Sequence, residues 1–478
     1  MKRKDFFKLT AAGAAGLTLG SSCQRTGQEA AEIAESGIKK EIPAYRDMIK
    51  TSFPAEHGRA PSDRVILALI GAGGYGSRLA MDAARAGDNV QIKYICDVDD
   101  TRGGWAEAEL EEIQGFKPKK VRDMRTVFDD DEVDGVFVAT PEHWHALATI
   151  WACQAGKDVY VEKPISHNIF EGQQMIKAAM KYERIVQCGT QNRIADYAFT
   201  ARDYINSGEL GDIYAVHVRS LEGSPVPFNP GEGSQAPDTI DWNMWLGPAS
   251  EVPYSVSRHR SWAYYWDYGS GPATGGDSIH QLDLARLIIG DPGFPESVYC
   301  AGGRYFFDDD RDVPDYQMAT FDYGDFVLTL QTGQCAPYMQ KTSTEIRFSK
   351  NEFPQWMQNS SRIDILGTKQ MMFAGRMGGG WQAFDRDEKI VAQDTGLYPM
   401  EPHILDFIDC IRTRNKPKGD IVEGHNSSVL MHLANLSYRT GNKQLLFSSE
   451  YETILNDEKA AILSRGSYRQ GFEITEDV

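Results

Sequence analysis

A glycine-rich turn between a predicted strand and a predicted helix constrains the fold of this chain more than any other feature. Residues 64–70 are apolar and rich in β-branched side chains, which predicts a buried strand. Residues 77–86 have helical character, and between the two stands Gly71-Ala72-Gly73-Gly74-Tyr75-Gly76. In this G-x-G-x-x-G order the first glycine permits a tight turn, the second the close approach of a pyrophosphate, and the third close packing of helix on strand. We therefore predict a dinucleotide-binding turn, with the anion at the helix N-terminus.

An aspartate follows the second predicted strand at the spacing that such a turn requires. Residues 91–96 are apolar, and Asp97 comes directly after them, about twenty residues beyond the last glycine. A carboxylate there accepts hydrogen bonds from both hydroxyls of the adenosine ribose and repels a 2′-phosphate. We therefore predict NAD as the cofactor, while Arg102, close by in sequence, keeps NADP open.

Predicted helices and strands alternate in the segment that follows. Helices are predicted over 102–113, 143–155 and 169–182, and strands over 135–139, 158–161 and 185–188. This order predicts a parallel sheet with helices on both faces, in which ligands collect at the carboxyl ends of the strands. Thr140-Pro141, Glu162-Lys163-Pro164 and residues 187–193 stand at those ends.

The second half of the chain has a different pattern of predicted strands and helices. Turns of Gly, Pro and Asp separate short segments of strand character at 213–220, 297–301, 317–321, 326–331 and 343–348. Helical stretches at 401–414 and 426–440 follow. The predicted class is α/β, with an N-terminal doubly wound parallel sheet of Rossmann type and a C-terminal α+β domain with a large, open, mostly antiparallel sheet. An open sheet face favours a homodimer or homotetramer.

The first 23 residues have the pattern of an export signal. A charged start is followed by the apolar run 9–19 and by Gly20-Ser21-Ser22-Cys23. The start resembles a twin-arginine signal with Lys4 in place of the second arginine, and Cys23 resembles a lipoprotein cleavage site. We expect a periplasmic or lipid-anchored protein, the alternative being an amphipathic N-terminal helix. Residues 24–60 are predicted to be a linker or arm.

The overall charge restricts the partners. The 478 residues include 50 Lys and Arg against 68 Asp and Glu, a formal net charge of −18. Nucleic acid would be repelled by this excess of negative charge, so we predict no nucleic-acid partner. The length leaves room for two domains with a large core.

Several motifs together resemble the Gfo/Idh/MocA family of glucose-fructose oxidoreductase, inositol dehydrogenase and rhizopine catabolism proteins. They are G-A-G-G-Y-G (71–76), A-T-P-E-H-W-H (139–145), V-E-K-P (161–164), G-T-Q-N-R (189–193), D-W-N-M-W-L-G-P (241–248), G-G-D-S-I-H-Q-L-D (275–283) and E-G-H-N-S-S (423–428). The resemblance implies a dinucleotide-binding domain, a domain for substrate and subunit contacts, and a sugar, polyol or related substrate. We place the first domain at 61–190, the second at 191–445 and a C-terminal extension at 446–478.

Three side chains are candidates for catalysis. The resemblance implies that Lys163 lies beside the nicotinamide and that His280 of the second domain acts as acid or base. An imidazole titrates near the working pH and can accept a hydroxyl proton, and an ammonium can stabilise a developing alkoxide. Asp277 stands three residues before His280, where it either orients the imidazole or caps the helix.

Further residues are candidates for binding. For the cofactor they are the glycine turn with Asp97 and, in addition, Thr140, Pro141, His143, His145, Glu162 and Gln191. For the substrate they are Arg193, Asp283, Trp266 and Tyr268. Aromatic rings stack on sugar faces, although core packing is an equal reading of the aromatic run. No third ligand at suitable spacing accompanies His143 and His145, so we predict no metal.

The predicted function is that of an exported NAD(P)-dependent oxidoreductase acting on a secondary hydroxyl of a sugar, polyol or glycoside. Since the periplasm has no pool of free NAD, we expect a tightly held cofactor. One alternative is a redox-neutral, NAD-dependent glycosidase that works by oxidation, elimination, addition and reduction. Another is a non-catalytic, NAD-bound sugar sensor.

Overall fold

A computed structural model describes residues 42–54, 64–86, 89–221, 234–271, 276–349 and 351–478. The predicted export signal and most of the predicted linker lie outside these residues, as does Gly275 of the 275–283 motif. All elements given below belong to one compact unit, which spans residues 40–478. In this part of the chain, no helix combines the length and the apolar character needed to cross a membrane.

The N-terminal half of the described chain forms the predicted parallel sheet. Its strands are β1 (Val65–Ile70), β2 (Val90–Cys96), β3 (Lys119–Val121), β4 (Gly135–Val138), β5 (Asp158–Val161) and β6 (Val186–Cys188). Their order across the sheet is β3-β2-β1-β4-β5-β6, and every pair is parallel. The central strands are continuous apolar runs because both of their faces are buried. The prediction of a doubly wound parallel sheet is confirmed.

Helices cover both faces of this sheet. They are α1 (Gly74–Ala86), α2 (Gly104–Gln114), α3 (Arg125–Phe128), α4 (His145–Gln154) and α5 (Ile169–Lys181). A helix from late in the chain, α11 (Met400–Thr413), completes one face, where Phe407 packs against Phe137 and Tyr160 at centroid distances of 5.9 Å. The core of the first domain therefore depends on residues 400–413, which lie beyond the range of 61–190 predicted for that domain.

The second sheet is larger and mostly antiparallel, as predicted. Its strands are β7 (Ile213–Leu221), β8 (Ser297–Gly303), β9 (Tyr316–Asp322), β10 (Val327–Gly333), β11 (Arg362–Gly367), β12 (Met371–Gly375), β13 (Trp381–Phe384), β14 (Ile390–Asp394), β15 (Leu445–Ser448) and β16 (Thr453–Ile454). The order is β14-β13-β12-β11-β7-β10-β9-β8-β15-β16, with β7 and β10 as a parallel pair. One face packs on helices, and the other leaves Tyr214, Tyr299 and Met318 exposed.

The helices on the packed face of the second sheet are long and buried. They include α6 (Asp196–Asn206), α9 (Ser278–Ile288) and α12 (Ile421–Arg439). Leu282 of α9 and Leu433 of α12 join the same core as Val216 and Leu330 of the sheet. Because α9 lies on this sheet and begins two residues before His280, the sheet fixes the position of that histidine.

One predicted strand is wrong. Residues 343–348 do not pair with a sheet but form the short helix α10 (Thr344–Arg347). The Ser343 hydroxyl caps this helix by accepting a hydrogen bond from the Ile346 N–H at 3.4 Å. A serine cap competes with extended structure through such a local hydrogen bond, which the apolar content of the segment did not reveal.

Residues 236–268, here called the aromatic segment, form a small core of their own. Its helices are α7 (Trp242–Leu246) and α8 (Val256–Arg260). Trp242 stacks on Trp245 at 4.6 Å, and the Asp241 carboxylate caps α7. Backbone hydrogen bonds from Asp241 to Val98 and from Asp100 to Thr239 tie the segment to the loop after β2. The aromatic segment therefore lies over the carboxyl ends of the parallel strands.

Candidate active site

The glycine turn is shaped by close packing at two positions and is open at two others. Gly71 has a φ of 92°, and a Cβ there would meet the Ala139 carbonyl at 2.6 Å. At Gly76, where the helix touches the strand, a Cβ would lie 2.2 Å from the Gly71 oxygen. Beside Gly73 and Gly74 there is nothing within 4 Å. The turn therefore presents its backbone to open space where a pyrophosphate would bind, and these residues fit a dinucleotide.

Asp97 lies beside the turn. Its carboxylate accepts hydrogen bonds from the Ala72 N–H at 2.8 Å and from the Asp99 N–H at 2.9 Å. Burial raises its pKa, and these two hydrogen bonds oppose that shift. Asp97, Arg102 and Arg122 all line one cavity. The carboxylate is thus fixed at the end of β2 with two guanidinium groups nearby.

A cavity of about 270 Å³ extends from the glycine turn along the carboxyl ends of the strands. Thr140 and Pro141 line it after β4. On its other side the lining comes from the aromatic segment, through Trp245, His259, Arg260 and Trp262. The His259 imidazole lies 3.7 Å from the Asp99 carboxylate. The aromatic segment therefore forms a roof over the site that the glycine turn predicts for the cofactor.

Lys163 stands after β5 and reaches the second domain. Its ammonium donates a hydrogen bond to the carbonyl of Gly276, four residues before His280. The next peptide bond, to Pro164, is cis. The His145 ring lies between the Pro164 carbonyl at 2.7 Å and the Thr140 carbonyl at 2.9 Å. His145 therefore contacts the two loops that follow β4 and β5.

Burial shifts the pKa values of two carboxyl groups near Lys163 toward neutrality. Burial raises the pKa of Glu162 to about 7, although Lys163 opposes the shift. Burial also raises the pKa of Glu142 to about 7, although its carboxylate accepts a hydrogen bond from the Ser270 N–H at 2.6 Å. Gln191, another predicted cofactor contact, donates to the Tyr75 hydroxyl at 3.2 Å.

His280 is buried in the first turns of α9. Burial lowers its pKa well below its usual range, and the positive charges of Arg376 and Lys163 lower it further. The imidazole is therefore neutral at neutral pH. Its Nδ1 has no hydrogen-bond partner among the residues that the structure describes.

Asp277 contacts other side chains than the sequence suggested. Its carboxylate accepts a hydrogen bond from Lys341 and pairs with Arg376 at 3.0 Å. It occupies the cap position of α9, but its side chain makes no capping hydrogen bond. Its negative charge opposes the fall in the pKa of His280. Asp277 therefore acts on the imidazole of His280 through its charge, while its carboxylate pairs with two cations, Lys341 and Arg376.

Those two cations, Lys341 and Arg376, were missed by sequence reasoning. Arg376 follows β12 in the stretch G-R-M-G-G-G (375–380), and Lys341 precedes α10. The glycine-rich stretch was the available signal, since such a run marks a backbone held in unusual conformations. Gly378 and Gly380 indeed have φ values of 84° and 62°.

Two predicted substrate contacts form a buried charge network instead. Arg193 donates to the Asp283 carboxylate at 2.7 Å and to Asp291 at 2.8 Å. Ser427 donates to the same oxygen of Asp283 at 2.7 Å. Both Arg193 and Asp283 are almost completely buried. These contacts give the two residues a structural role, and their contact with substrate stays a prediction.

Trp266, Tyr268 and His143 are not among the residues that line the 270 Å³ cavity. Trp266 and His143 line a separate cavity of about 180 Å³, and the Arg439 guanidinium lies 5.0 Å from the Trp266 ring. Tyr268 is fully buried and packs on Trp245 at 4.9 Å. Tyr268 belongs to the core of the aromatic segment, whereas Trp266 does not, and the stacking of either ring on a sugar stays a prediction. His143 lies outside the 270 Å³ cavity.

Two family models match the chain and together cover more than half of it. The NAD-binding Rossmann fold of the GFO/IDH/MocA oxidoreductase family matches residues 65–190. The GFO/IDH/MocA C-terminal domain matches residues 199–371. The two matches fall on the parallel sheet and on the first strands of the second sheet.

Individual relatives are distant. An uncharacterized oxidoreductase of Streptococcus pneumoniae is 26% identical over 236 residues, 49% of this chain and 53% of its own length. Inositol 2-dehydrogenase of Salmonella typhimurium is 29% identical over 160 residues, 33% of this chain and 46% of its own. The chain thus spans about half the length of these curated relatives.

A solved structure shows the same fold. Levoglucosan dehydrogenase, in complex with NADH and levoglucosan, superposes with a TM-score of 0.57 at 17% identity. The superposition covers 82% of this chain and 100% of that one.

Proposed function

Since the chain belongs to the Gfo/Idh/MocA family of NAD-binding oxidoreductases, we propose that it oxidises a secondary hydroxyl of a sugar, polyol or glycoside. The observation that carries the proposal is the contact between the two domains at Lys163, whose ammonium bonds to the loop that leads into His280. The names of the relatives, inositol 2-dehydrogenase and levoglucosan dehydrogenase, support a polyhydroxylated substrate.

His280 is proposed as the base that takes the hydroxyl proton. Burial and the nearby cations keep the imidazole neutral, so it has a lone pair to accept that proton. Asp277 lies close enough to stabilise the imidazolium that forms. The proton therefore moves from the substrate oxygen to a ring nitrogen of His280.

Lys163 is proposed as the group that stabilises negative charge on the substrate oxygen. A fixed ammonium in a partly buried position stabilises a developing alkoxide more than it would in bulk water. The hydrogen bond to the Gly276 carbonyl fixes the position of the ammonium. Substrate hydroxyl, base and cation are thereby held together.

The cofactor is proposed to be NAD, held by the glycine turn and Asp97. When bound, a nicotinamide ring supplies the acceptor for the hydride that leaves the substrate carbon. The Asp97 carboxylate stands where it would accept hydrogen bonds from the ribose hydroxyls. Arg102 and Arg122 line the same cavity, and they are the residues that would favour a 2′-phosphate.

The roof supports a cofactor that stays bound between turnovers. Trp245, His259 and Trp262 line the cofactor cavity from the aromatic segment, which is hydrogen-bonded to the loop after β2. Release of a dinucleotide would require this segment to move. A retained cofactor must be returned to its starting state by a second reaction on the same enzyme.

That requirement favours a second candidate function, redox-neutral cleavage of a glycoside. Oxidation of a ring carbon acidifies the neighbouring C–H, and loss of that proton expels the aglycone by elimination. Water then adds to the double bond, and return of the hydride reduces the ketone. The sum is hydrolysis, with no net change in the cofactor.

Export is part of the proposal. The charged start, the apolar run and Cys23 support transport across the inner membrane and attachment of a lipid. Mass spectrometry of protein from the membrane and periplasmic fractions tests this, because cleavage and acylation at Cys23 each give a defined mass change.

The decisive experiment compares native and denaturing mass spectra of the purified protein. A dinucleotide that leaves only on denaturation, together with sugar-dependent reduction of the bound cofactor, is the expected result. Lys163→Met and His280→Asn should each lower the rate of reduction by about 10²–10⁴-fold while the dinucleotide stays bound. A protein that neither retains nor binds NAD or NADP contradicts the proposal. Release of aglycone without net reduction identifies the second candidate.

A further inference from the structure

Arg376, which follows β12 of the second sheet, is a buried arginine on the second-domain side of the proposed active site. Only 4 % of its surface is exposed, and one nitrogen, Nη1, pairs with Asp277 at 3.0 Å. Its Nε is buried and finds no hydrogen-bond acceptor among the described residues. A buried donor without an acceptor is costly, so such a group is uncommon unless a ligand or ordered solvent completes it.

The backbone around Arg376 holds the side chain in place. The turn after β12 packs Gly375 against Gly379 so closely that a Cβ at either would lie within about 3.2 Å of the other. The carbonyl of Arg376 accepts a hydrogen bond from the Thr342 hydroxyl at 3.0 Å. The guanidinium is thus presented on a rigid turn, as a binding group requires.

Arg376 lies close to the proposed reacting groups, because it pairs with Asp277, the neighbour of Gly276, whose carbonyl accepts the hydrogen bond from Lys163. Its positive charge lowers the pKa of His280 and also opposes the rise in the pKa of Glu162 on the other wall. The guanidinium therefore lies within electrostatic reach of both walls of the cleft, close to the place proposed for the substrate.

We propose that the substrate is an acidic sugar, and that Arg376 binds its carboxylate. A guanidinium presents paired N–H donors that match the two oxygens of a carboxylate, and the orphan Nε supplies one of them. This inference rests on the proposed function, since it names the class of sugar that the same site oxidises.

The balance of charge favours a carboxylate over a phosphate. Asp277 is shared between Arg376 and Lys341, so it offsets part of the positive charge of this wall. Lys163 is engaged with the Gly276 carbonyl and with the proposed alkoxide. Arg376, Lys341 and Asp277 together leave one net positive charge, which matches a ligand with a single negative charge. A phosphate monoester carries nearly two negative charges at neutral pH.

The test measures reduction of the bound cofactor in the full-length holoenzyme after mixing with defined sugars. The probes are the methyl glycosides of glucuronic, galacturonic and mannuronic acid, the matching neutral methyl hexosides, and glucose 6-phosphate. We expect kcat/KM for at least one methyl uronide to exceed that of its neutral counterpart by about 30-fold or more, the loss typical of truncating one partner of a buried charge pair. Titration calorimetry with the same pairs should show the preference in affinity.

Two variants assign the preference to Arg376. Arg376→Met should abolish it by lowering kcat/KM for the uronide while changing the hexoside little, and Arg376→Lys should restore part of it. The matched control is Arg362→Met, which also breaks an Arg–Asp pair on the second sheet but leaves the preference intact.

Three results would overturn the inference. They are equal or better turnover of the neutral hexosides, preference for the sugar phosphate, or an equal loss for acidic and neutral sugars in Arg376→Met. In each of these the proposed function survives, because sugars are still oxidised. If the protein retains no dinucleotide and oxidises none of the probes when NAD or NADP is supplied, the proposed function itself is wrong and this inference falls with it.

Discussion

The wall of the proposed active site that the parallel sheet supplies combines backbone groups with carboxyl groups whose pKa values are raised by burial, whereas the opposite wall, from the second sheet, carries a cluster of paired charges. On the first wall the glycine turn offers N–H groups, and Glu142 and Glu162 have pKa values raised to about 7. On the second wall Arg376, Lys341 and Asp277 form one charged group around the neutral His280. Lys163 joins the two walls.

This difference separates the two tasks of the site. A dinucleotide is common to many substrates, and backbone groups bind its pyrophosphate whatever the side chains are. A substrate is distinguished by its own chemistry, which only side chains can match. We therefore expect variants on the first wall to change cofactor retention and variants on the second wall to change the choice of substrate.

The largest expected effect concerns the buried network that supports the second wall. Arg193→Met should destabilise the protein by about 3–5 kcal/mol, because it leaves the buried carboxylate of Asp283 without its ion-pair partner. Urea unfolding measures the change. Arg125→Met, which removes the more exposed pair with Asp123, should cost less than about 1 kcal/mol.

The same variants test the role of Arg193. If Arg193→Met unfolds at the wild-type urea concentration but raises KM, the sequence interpretation of this residue as a substrate contact is right and the structural one fails.

The second-largest expected effect concerns Glu142 on the first wall. The pKa of Glu142 is about 7 in the folded protein against 4.5 for the free side chain, so the folded state binds the proton more tightly. The stability that this supplies is complete below pH 4.5 and is lost as the pH rises through 7. Between these limits Glu142→Gln should gain about 3 kcal/mol relative to wild type.

Urea unfolding at a series of pH values gives this difference directly. Glu132→Gln, at an exposed glutamate that pairs with Lys93, is the control and should run parallel to wild type. A difference between Glu142→Gln and wild type that is independent of pH would mean that Glu142 is charged in the folded protein.

The first wall could be predicted from the sequence because its residues lie in contiguous motifs. The β1 strand, the glycine turn and α1 follow one another directly, and Asp97 and Lys163 each come right after an apolar strand. Local patterns of this kind define strand ends, and the carboxyl ends of parallel strands meet at one edge. The strands and helices predicted on this side lie within a few residues of the observed ones, whereas β3 and α3 were not predicted.

The second wall could not be predicted in the same way. His280 was identified by resemblance, but Arg376 and Lys341 come from separate turns that only folding of the second sheet brings together. The density of aromatic residues at 261–269 left a sugar platform and core packing equally open, and Trp266 lines a cavity other than that of the glycine turn. Composition indicates that rings are present, whereas tertiary packing decides which cavity they line.

The third-largest expected effect tests whether the backbone of the glycine turn supports the fold or the binding of the dinucleotide. A methyl group at Gly76 would lie 2.2 Å from the Gly71 oxygen, so Gly76→Ala should destabilise the fold by about 1–3 kcal/mol. At Gly73 a Cβ meets nothing within 4 Å, so Gly73→Ala should keep the stability of the apo-protein and lose dinucleotide affinity. Thermal unfolding with and without NAD separates the two. The interpretation fails if both variants lose stability equally.

The smallest effect concerns the choice between NAD and NADP, and it tests the one side chain on which cofactor binding by the first wall depends. Asp97→Asn keeps a hydrogen-bond acceptor for the Ala72 N–H but removes the negative charge that the ribose hydroxyls meet. We expect about a tenfold loss of NAD affinity and a smaller loss or a gain for NADP, since the repulsion of a 2′-phosphate disappears. Fluorescence titration of the apo-protein with each reduced dinucleotide measures both. Asp387→Asn, at an exposed carboxylate of the second domain that pairs with Arg386, is the matched control and should leave the ratio unchanged. A wild-type protein that binds NADP more tightly would instead assign the 2′-phosphate to Arg102 and Arg122, and these two cations rather than Asp97 would then decide which dinucleotide the first wall binds.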